Sequence, residues 1–171
     1  MKQITTLLAA IVLCIASSVA VSAQTENTLP KKFFGCTLNE TTNLDAKIYL
    51  ESNGFVPSDY SGGFYYISDP KFDGIKYDLA LLEFTPHDMA SDVFSAITFM
   101  KTGMSRNDAI KFANKVHAKL DKNYTLIKKT VDGFDCYFTS SDGRTLTLLV
   151  GKGNDSHFVY LVIEPGTPEL Q

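Results

Sequence analysis

The sequence predicts an α+β fold in which two helices pack on one face of an antiparallel sheet. Three observations predict this class. Two segments carry apolar residues at helical spacing, several shorter segments alternate between apolar and polar residues, and the links between the later strands are short. Short links favour antiparallel pairing, because a parallel pair needs a crossover connection of about a dozen residues or more.

The composition is that of an ordinary globular protein. The 171 residues are 44% hydrophobic and 20% charged, with a formal net charge of −3. Intrinsic disorder is excluded, since it requires low hydrophobicity and high net charge. A strongly basic nucleic-acid-binding protein is also excluded, because the chain has 19 acidic and only 16 basic residues.

Residues 1–23 have the pattern of a secretory signal peptide. Lys2 precedes an apolar run from Ile4 to Ala20, and the segment closes with small residues near Ala23. The most apolar part is too short for a membrane span, which needs about 20 such residues. We therefore expect cleavage near Ala23, export to the periplasm or the medium, and no transmembrane segment in the cleaved protein.

The remaining chain is predicted to form a flexible lead-in over residues 24–32 and a single domain over residues 33–171. The lead-in is polar and contains Pro30. A short opening strand follows around Phe33 to Cys36. The first helix begins at a threonine cap, Thr41 or Thr42, and ends at Asn53-Gly54. Its predicted buried stripe consists of Leu44, Ile48 and either Tyr49 or Leu50.

Three strands are predicted after the first helix, at about residues 64–67, 75–85 and 93–100. In the second of them, alternation places four apolar residues on one face: Ile75, Tyr77, Leu79 and Leu81. The turns between these strands are marked by Asp-Pro, Asp-Gly and Pro-His-Asp sequences.

The second half of the domain repeats this plan. A helix is predicted over residues 106–121, with Ser105 as its cap and an apolar stripe through Ala109, Val116 and Leu120. Four strands follow, at about residues 124–130, 134–139, 144–150 and 157–163. The two halves, residues 33–103 and 104–164, each read as a helix followed by a meander, and the sequence leaves open whether they arose by duplication.

The chain after Ala23 keeps two cysteines, Cys36 and Cys136. An even pair in an exported protein is a candidate disulfide. The alternative is two buried free thiols, since unpaired cysteine behaves as a small apolar core residue. Spacing alone does not decide between them, because a disulfide requires the two Cα atoms to lie within about 7 Å.

The order of these elements resembles that of a known group of proteins. A Phe33-Phe34-Gly35 opening, a helix closing on Asn53-Gly54-Phe55, a meander, a second helix and a final meander look like small uncharacterised exported proteins of gut-dwelling anaerobic bacteria. Their plan is similar to the fold of beta-lactamase inhibitory proteins, in which a helix-plus-sheet unit occurs twice. Those inhibitors have a cysteine pair in each repeat, whereas this chain has one cysteine in each half. No inhibitory contact residue can be matched, so the resemblance implies a fold and not an activity.

No motif in the sequence predicts catalysis, a metal centre or a cofactor. There is no G-x-S-x-G elbow, no H-E-x-x-H and no C-x-x-C. Cys136 alternates with Phe134 and Phe138, which favours a core position over an accessible nucleophile. The Gly151-Lys152-Gly153 loop joins two strands, so it lacks the helix N-terminus that a phosphate loop requires.

Two surface features remain as binding candidates. Lys111, Lys115, Lys119 and Lys122 follow one face of the second helix, with Lys128 and Lys129 close behind, and indicate either a docking stripe for an anionic partner or a solvated face. Four aromatic residues cluster around Gly62-Gly63: Tyr60, Phe64, Tyr65 and Tyr66. Neighbouring residues of a strand point to opposite faces, so Tyr65 and Tyr66 cannot both belong to the core.

The absence of a catalytic set and the presence of these tyrosines predict a noncatalytic exported binding module. It would contact a protein or an envelope component through an exposed sheet face and the loops near residues 58–64 and 151–156. The alternative is a small periplasmic hydrolase that uses carboxylates or Cys136 in a cleft. A deep cleft with converging titratable groups would favour the enzyme, and a shallow sheet face would favour the binding module.

Overall fold

The computed structural model describes residues 28–55, 64–85, 92–129 and 135–165. In chain order the elements are β1 (Lys32–Phe33), β2 (Cys36–Thr37), α1 (Asn43–Ser52), β3 (Phe64–Ser68), β4 (Lys71–Phe72), β5 (Ile75–Lys76), β6 (Leu79–Thr85), β7 (Val93–Met104), α2 (Arg106–Asn123), β8 (Thr125–Lys129), β9 (Cys136–Thr139), β10 (Thr145–Lys152) and β11 (His157–Glu164). The mixed α+β class that the sequence predicts is confirmed.

Seven of the strands form one antiparallel sheet in the order β3-β6-β7-β11-β10-β9-β8. The first half of the chain supplies β3, β6 and β7, and the second half supplies the meander from β8 to β11. The halves meet where β7 pairs with β11, with Ile97 opposite Ile163. The two halves therefore share one continuous sheet.

Alternation along the strands gives the sheet a buried face and an outer face. The inward residues of the large strands are almost completely buried, among them Leu82, Phe94, Phe138, Leu148 and Leu161. Both helices contact this face. α2 packs against β7, β10 and β11, and buries Ala109, Ala113, Val116 and Leu120. α1 reaches the same face through Asn43, whose side-chain oxygen accepts a hydrogen bond from the Tyr65 hydroxyl.

Phe99 on β7 is the centre of the largest aromatic cluster described in this core. Its ring lies 5.1 Å from Phe72 in a stacked arrangement, 5.4 Å from Tyr77 and 6.2 Å from Phe33. Tyr77 in turn meets Phe112 of α2 edge-on at 5.5 Å. The two small hairpins, β1–β2 and β4–β5, are thereby tied to the sheet and to α2. Aromatic pairs of this kind contribute roughly 0.5–1.5 kcal/mol each beyond the area that they bury.

The buried stripe predicted for α1 is wrong at Leu44 and Ile48 and is confirmed at Leu50, one of the two alternatives for its third position. Leu44 and Ile48 are 65% and 58% exposed, whereas Ala46 and Leu50 are fully buried. The helix carries two rows of apolar residues with a spacing of four residues: Leu44 and Ile48 form one row, and Ala46 and Leu50 form the other. The two rows lie on nearly opposite sides of the helix, because successive residues are about 100° apart around its axis. The row with Ala46 and Leu50 faces the core, and both side chains belong to its buried cluster. Of the two predicted caps, Thr42 is the one that the structure shows: its side chain accepts a hydrogen bond from the Asp45 amide at 3.2 Å.

The single strand predicted over residues 75–85 is divided in two. β5 ends at Lys76 and β6 begins at Leu79. The intervening Asp78 accepts hydrogen bonds from the Lys101 ammonium and, at 2.9 Å, from the Thr102 amide. The break changes the alternation, so Ile75 and Tyr77 are buried while Leu79 and Leu81 lie on the outer face of the sheet. The four residues that the sequence placed on one face therefore do not share it.

The part of the predicted lead-in that the structure describes, residues 28–32, is anchored rather than loose. Leu29 is only 2% exposed and belongs to the core. The guanidinium of Arg144 donates hydrogen bonds to the carbonyl oxygens of Leu29 and, at 2.6 Å, Pro30. Arg144 is itself buried and also donates to the carboxylate of Asp142, with 3.0 Å between Nε and Oδ2. A buried arginine needs such partners, because an unpaired buried charge is strongly destabilising.

The Asp142–Arg144 pair predicts an acid-sensitive contribution to stability. Burial alone would raise the pKa of Asp142, but hydrogen bonds from Arg144 and Ser140 outweigh it and lower the pKa to about 2. A carboxylate whose pKa falls on folding stabilises the protein above its unfolded pKa of about 4, and this contribution is lost as the pH falls towards 2. Because the carboxylate is partly exposed, we expect about 1 kcal/mol at neutral pH.

Urea denaturation of Asp142→Asn and of the unsubstituted protein between pH 7 and pH 2 measures this contribution. The variant should be less stable at pH 7, and the difference should shrink below pH 4. A difference that stays constant with pH would contradict the assignment of the lowered pKa to Asp142.

Candidate interaction surface

The outer face of the sheet carries partly exposed side chains, since both helices lie against the opposite face. The outward positions of its central strands include many apolar residues, with Glu83 and Thr98 also on this side. The register places Leu79, Met100, Tyr160 and Leu149 in one row across β6, β7, β11 and β10. All four are partly buried by one another and partly exposed.

This row is extended by further apolar side chains on the same face. Tyr66 lies opposite Leu81 on the β3 side, and Val162 follows Tyr160 along β11. We call the whole set the outer band; it consists of Phe64, Tyr66, Leu79, Leu81, Met100, Leu149, Phe158, Tyr160 and Val162. Towards β8 the outward positions become polar, with Thr139, Thr145 and Thr147.

Phe158 and Tyr160 are the best-defined pair of the outer band. Their rings stack with centroids 4.4 Å apart and planes 18° from parallel. Phe158 also lies across Gly151, its partner on β10, where a Cβ atom would come within 1.9 Å of the ring. Because Gly151 has no side chain, the Phe158 ring packs directly on its backbone.

Three of the four aromatic residues that the sequence grouped as a contact site are described, and the structure places them on two different faces. Phe64 and Tyr66 lie on the outer face and remain partly exposed. Tyr65 is 2% exposed on the opposite face, where it meets Phe84 edge-on at 5.5 Å. Its burial removes Tyr65 from any contact surface, because a strand that directs Tyr66 outward must direct Tyr65 inward. Tyr60 and the predicted contact loop up to residue 63 lie outside the described residues.

The sequence reasoning missed most of the outer band, although a signal for it was present. β11 reads Phe-Val-Tyr-Leu-Val-Ile over residues 158–163, which is apolar at both inward and outward positions. An antiparallel sheet with one solvated face normally shows clean alternation of apolar and polar residues. The uninterrupted apolar run therefore indicates a strand whose second face is also buried or in contact with a partner.

The two cysteines are free thiols in this structure, and both are buried. Burial raises the pKa of Cys36 to about 11, with a small opposing effect from Lys32. Burial likewise raises the pKa of Cys136. The structure therefore has no bond between Cys36 and Cys136, and it gives neither sulfur the lowered pKa and exposure that a nucleophilic thiolate requires.

One cleft, of about 450 Å³, lies beside the β1–β2 hairpin and is lined by residues that include Lys32, Lys71, Asp73 and Tyr124. Asp73 is the single carboxylate of its described lining. The Lys119 ammonium donates a hydrogen bond to the backbone carbonyl oxygen of Asp73 and lies 3.9 Å from its Oδ1. Glycoside hydrolysis requires two carboxyl groups across a cleft, so this cleft does not provide that arrangement. In the four described ranges, no group of three histidine, cysteine, aspartate or glutamate side chains is placed to hold a metal ion.

Comparison with protein-family models, curated proteins and solved structures found no match to this chain. Among the described residues, no helix has the length and apolar character needed to cross a membrane.

The state of the cysteines gives a direct prediction. In a chain without residues 1–23, which contain Cys14, a thiol reagent should detect two thiols after denaturation without reductant. The folded protein should react only slowly, because both sulfur atoms are buried and protonated. The absence of reactive thiols after denaturation would instead show that Cys36 and Cys136 are bonded.

Proposed function

We propose that this protein is an exported, noncatalytic binding module that contacts a protein or an envelope component through the outer face of its sheet. The observation that carries the proposal is the apolar outer band on the central strands. An exposed sheet face of an isolated domain would be expected to carry polar residues at these positions.

The dimensions of the outer face suit a macromolecular partner. Neighbouring strands lie about 4.8 Å apart, so the seven strands span roughly 29 Å. Five of the seven strands have five to eight residues, β9 has four and β7 has twelve. Strands of five to eight residues extend about 17–27 Å, which gives a face of roughly 500–800 Å². A standard protein–protein interface buries about 800 Å² on each partner. The outer face is therefore of the right size to be most of one side of such an interface.

The composition of the outer band also favours a protein partner. Tyrosine, phenylalanine and methionine are enriched at the centres of protein interfaces, and charged residues are depleted there. The band contains Tyr66, Tyr160, Phe158 and Met100. On the same face Thr98 lies between Leu81 and Val162, and Glu83 lies opposite Phe64. The aromatic residues and Met100 are the part of this face that favours a protein partner.

The competing hypothesis of a small periplasmic hydrolase receives less support. Both candidate thiols are buried with raised pKa values, and the cleft beside the β1–β2 hairpin contains a single carboxylate. The buried thiols and this cleft therefore supply neither the accessible nucleophile nor the carboxylate pair that the hypothesis requires.

We also propose that the fold follows the plan of the beta-lactamase inhibitory proteins. Each half of the chain consists of a helix followed by antiparallel strands, and the halves meet at the β7–β11 pair in one continuous sheet. The signal peptide and the export that it implies belong to the same proposal and rest on the sequence of residues 1–23.

The test compares the unsubstituted protein with the double variant Leu81→Thr/Tyr160→Thr in capture experiments from an envelope extract. Threonine is compatible with a strand but removes the apolar surface. Partners that bind through the outer band should be recovered at least about tenfold less with the variant, since truncation of central interface residues often costs 2 kcal/mol or more.

Ile48→Thr is the matched control, because it removes an exposed apolar side chain from α1 instead of the outer face. Its recovery should equal that of the unsubstituted protein. Thermal unfolding of all three proteins verifies that the variants are folded. Equal recovery of every partner by the double variant and the control would overturn the proposal.

A further inference from the structure

Strand β8, Thr125–Lys129, forms one edge of the seven-stranded sheet. All five of its residues are exposed, and among the described residues it pairs with β9 alone. The other side of β8 therefore presents a row of backbone N–H and C=O groups. Such an edge is a template for another strand, and natural proteins usually shorten, cover or charge it.

The side chains of β8 combine apolar contact with positive charge. Leu126 and Ile127 are 36% and 48% exposed. The register skips Ile127, since Leu126 pairs with Phe138 and Lys128 with Tyr137. Ile127 lines a groove of about 400 Å³ together with Lys128, Tyr137, Thr147 and Glu164. The edge thus adjoins a partly apolar groove that could receive alternate side chains of an added strand.

The charge of this edge selects among the strands that could be added. Lys128 and Lys129 are consecutive, β8 contains no acidic residue, and neither ammonium group has an ion-pair partner in the part of the chain that the structure describes. By contrast, Lys76, Lys101 and Lys111 each face an aspartate. Glu164 lies in the groove and offsets only part of this charge.

We propose that the β8 edge binds an extended acidic peptide segment of another protein by strand addition. Backbone hydrogen bonds to β8 hold the segment, the carboxylates on one of its faces lie beside Lys129, and the apolar side chains on its other face enter the groove beside Ile127 and Lys128. This mode of recognition obtains affinity from the backbone and selectivity from alternate side chains.

A second copy of the same chain is a poorer occupant of this edge. Pairing of two β8 strands would gather four ammonium groups within a five-residue ladder, with no carboxylate on either strand to offset them. Like charges across a strand pair are destabilising. Lysine at this edge therefore opposes self-association and favours an acidic strand.

The groove beside Ile127 lies on the same face of the sheet as the outer band, but no residue of the band lines it, and the proposal does not depend on the band. The distinguishing variant is again Leu81→Thr/Tyr160→Thr, which should bind the acidic peptide like the unsubstituted protein. Loss of peptide binding in that variant would assign the peptide to the outer face and overturn the β8 proposal.

The probe is a fluorescein-labelled, acetylated and amidated peptide of sequence Thr-Glu-Val-Glu-Val-Glu-Val-Thr, and the measurement is fluorescence anisotropy with the full chain. We expect saturable binding that weakens as salt is added, because exposed charges are screened. Lys128→Glu/Lys129→Glu should raise Kd by at least about tenfold. Lys111→Glu/Lys115→Glu, which makes the same charge change on α2, should leave Kd within about twofold.

A second pair of peptides tests the backbone hydrogen bonds. One carries N-methyl groups on the backbone nitrogens of its glutamates, and the other carries them on those of its valines. Because successive N–H groups of a strand point to opposite edges, each peptide loses the hydrogen-bond donors of one edge. Strand addition predicts that one of the two peptides fails to bind and the other binds. Equal binding of both peptides, equal Kd values for the two charge variants, or binding of the peptide with lysine in place of glutamate would each overturn the proposal.

Discussion

The pairing of β7 with β11 is the interaction on which the rest of this structure depends. It joins the two halves of the chain into one sheet and places Phe99, Val159 and Leu161 side by side on the buried face. The small hairpins and α2 then pack against Phe99 and its neighbours. The same pairing brings Met100 and Tyr160 together on the opposite face. The β7–β11 pair therefore supplies residues both to the centre of the core and to the centre of the outer band.

Much of the fold is readable from local patterns. α2 is predicted closely because Ser105 provides a cap and a single apolar row repeats at helical spacing through Val116 and Leu120. The last three strands are also predicted to within two residues at each end, since short turns separate clearly alternating segments. These features depend on neighbours in the sequence, and local propensity and periodicity are sufficient to find them.

Features that depend on distant residues could not be predicted in this way. α1 has two rows of suitable spacing, and only the sheet decides that Leu50 is buried and Ile48 is not. Alternation requires Tyr65 and Tyr66 to face opposite sides, but it does not say which side the helices cover. The buried Arg144 holds the carbonyl oxygen of Leu29 from the far end of the chain, and no sequence motif connects the two. The outer band was missed for the same reason, because it is assembled from five neighbouring strands.

The order of strands in the sheet also has a consequence for how the chain acquires its structure. Ile97 pairs with Ile163, more than a third of the chain length later, so the central ladder closes only when β11, the last of the described strands, is present. Contacts between such distant segments slow folding, because a large loop must be closed before they form. During synthesis or export of the chain, the edge of β7 that pairs with β11 therefore stays unpaired until β11 is present. Deletion of the eight residues of β11 would remove the strand that joins the two halves.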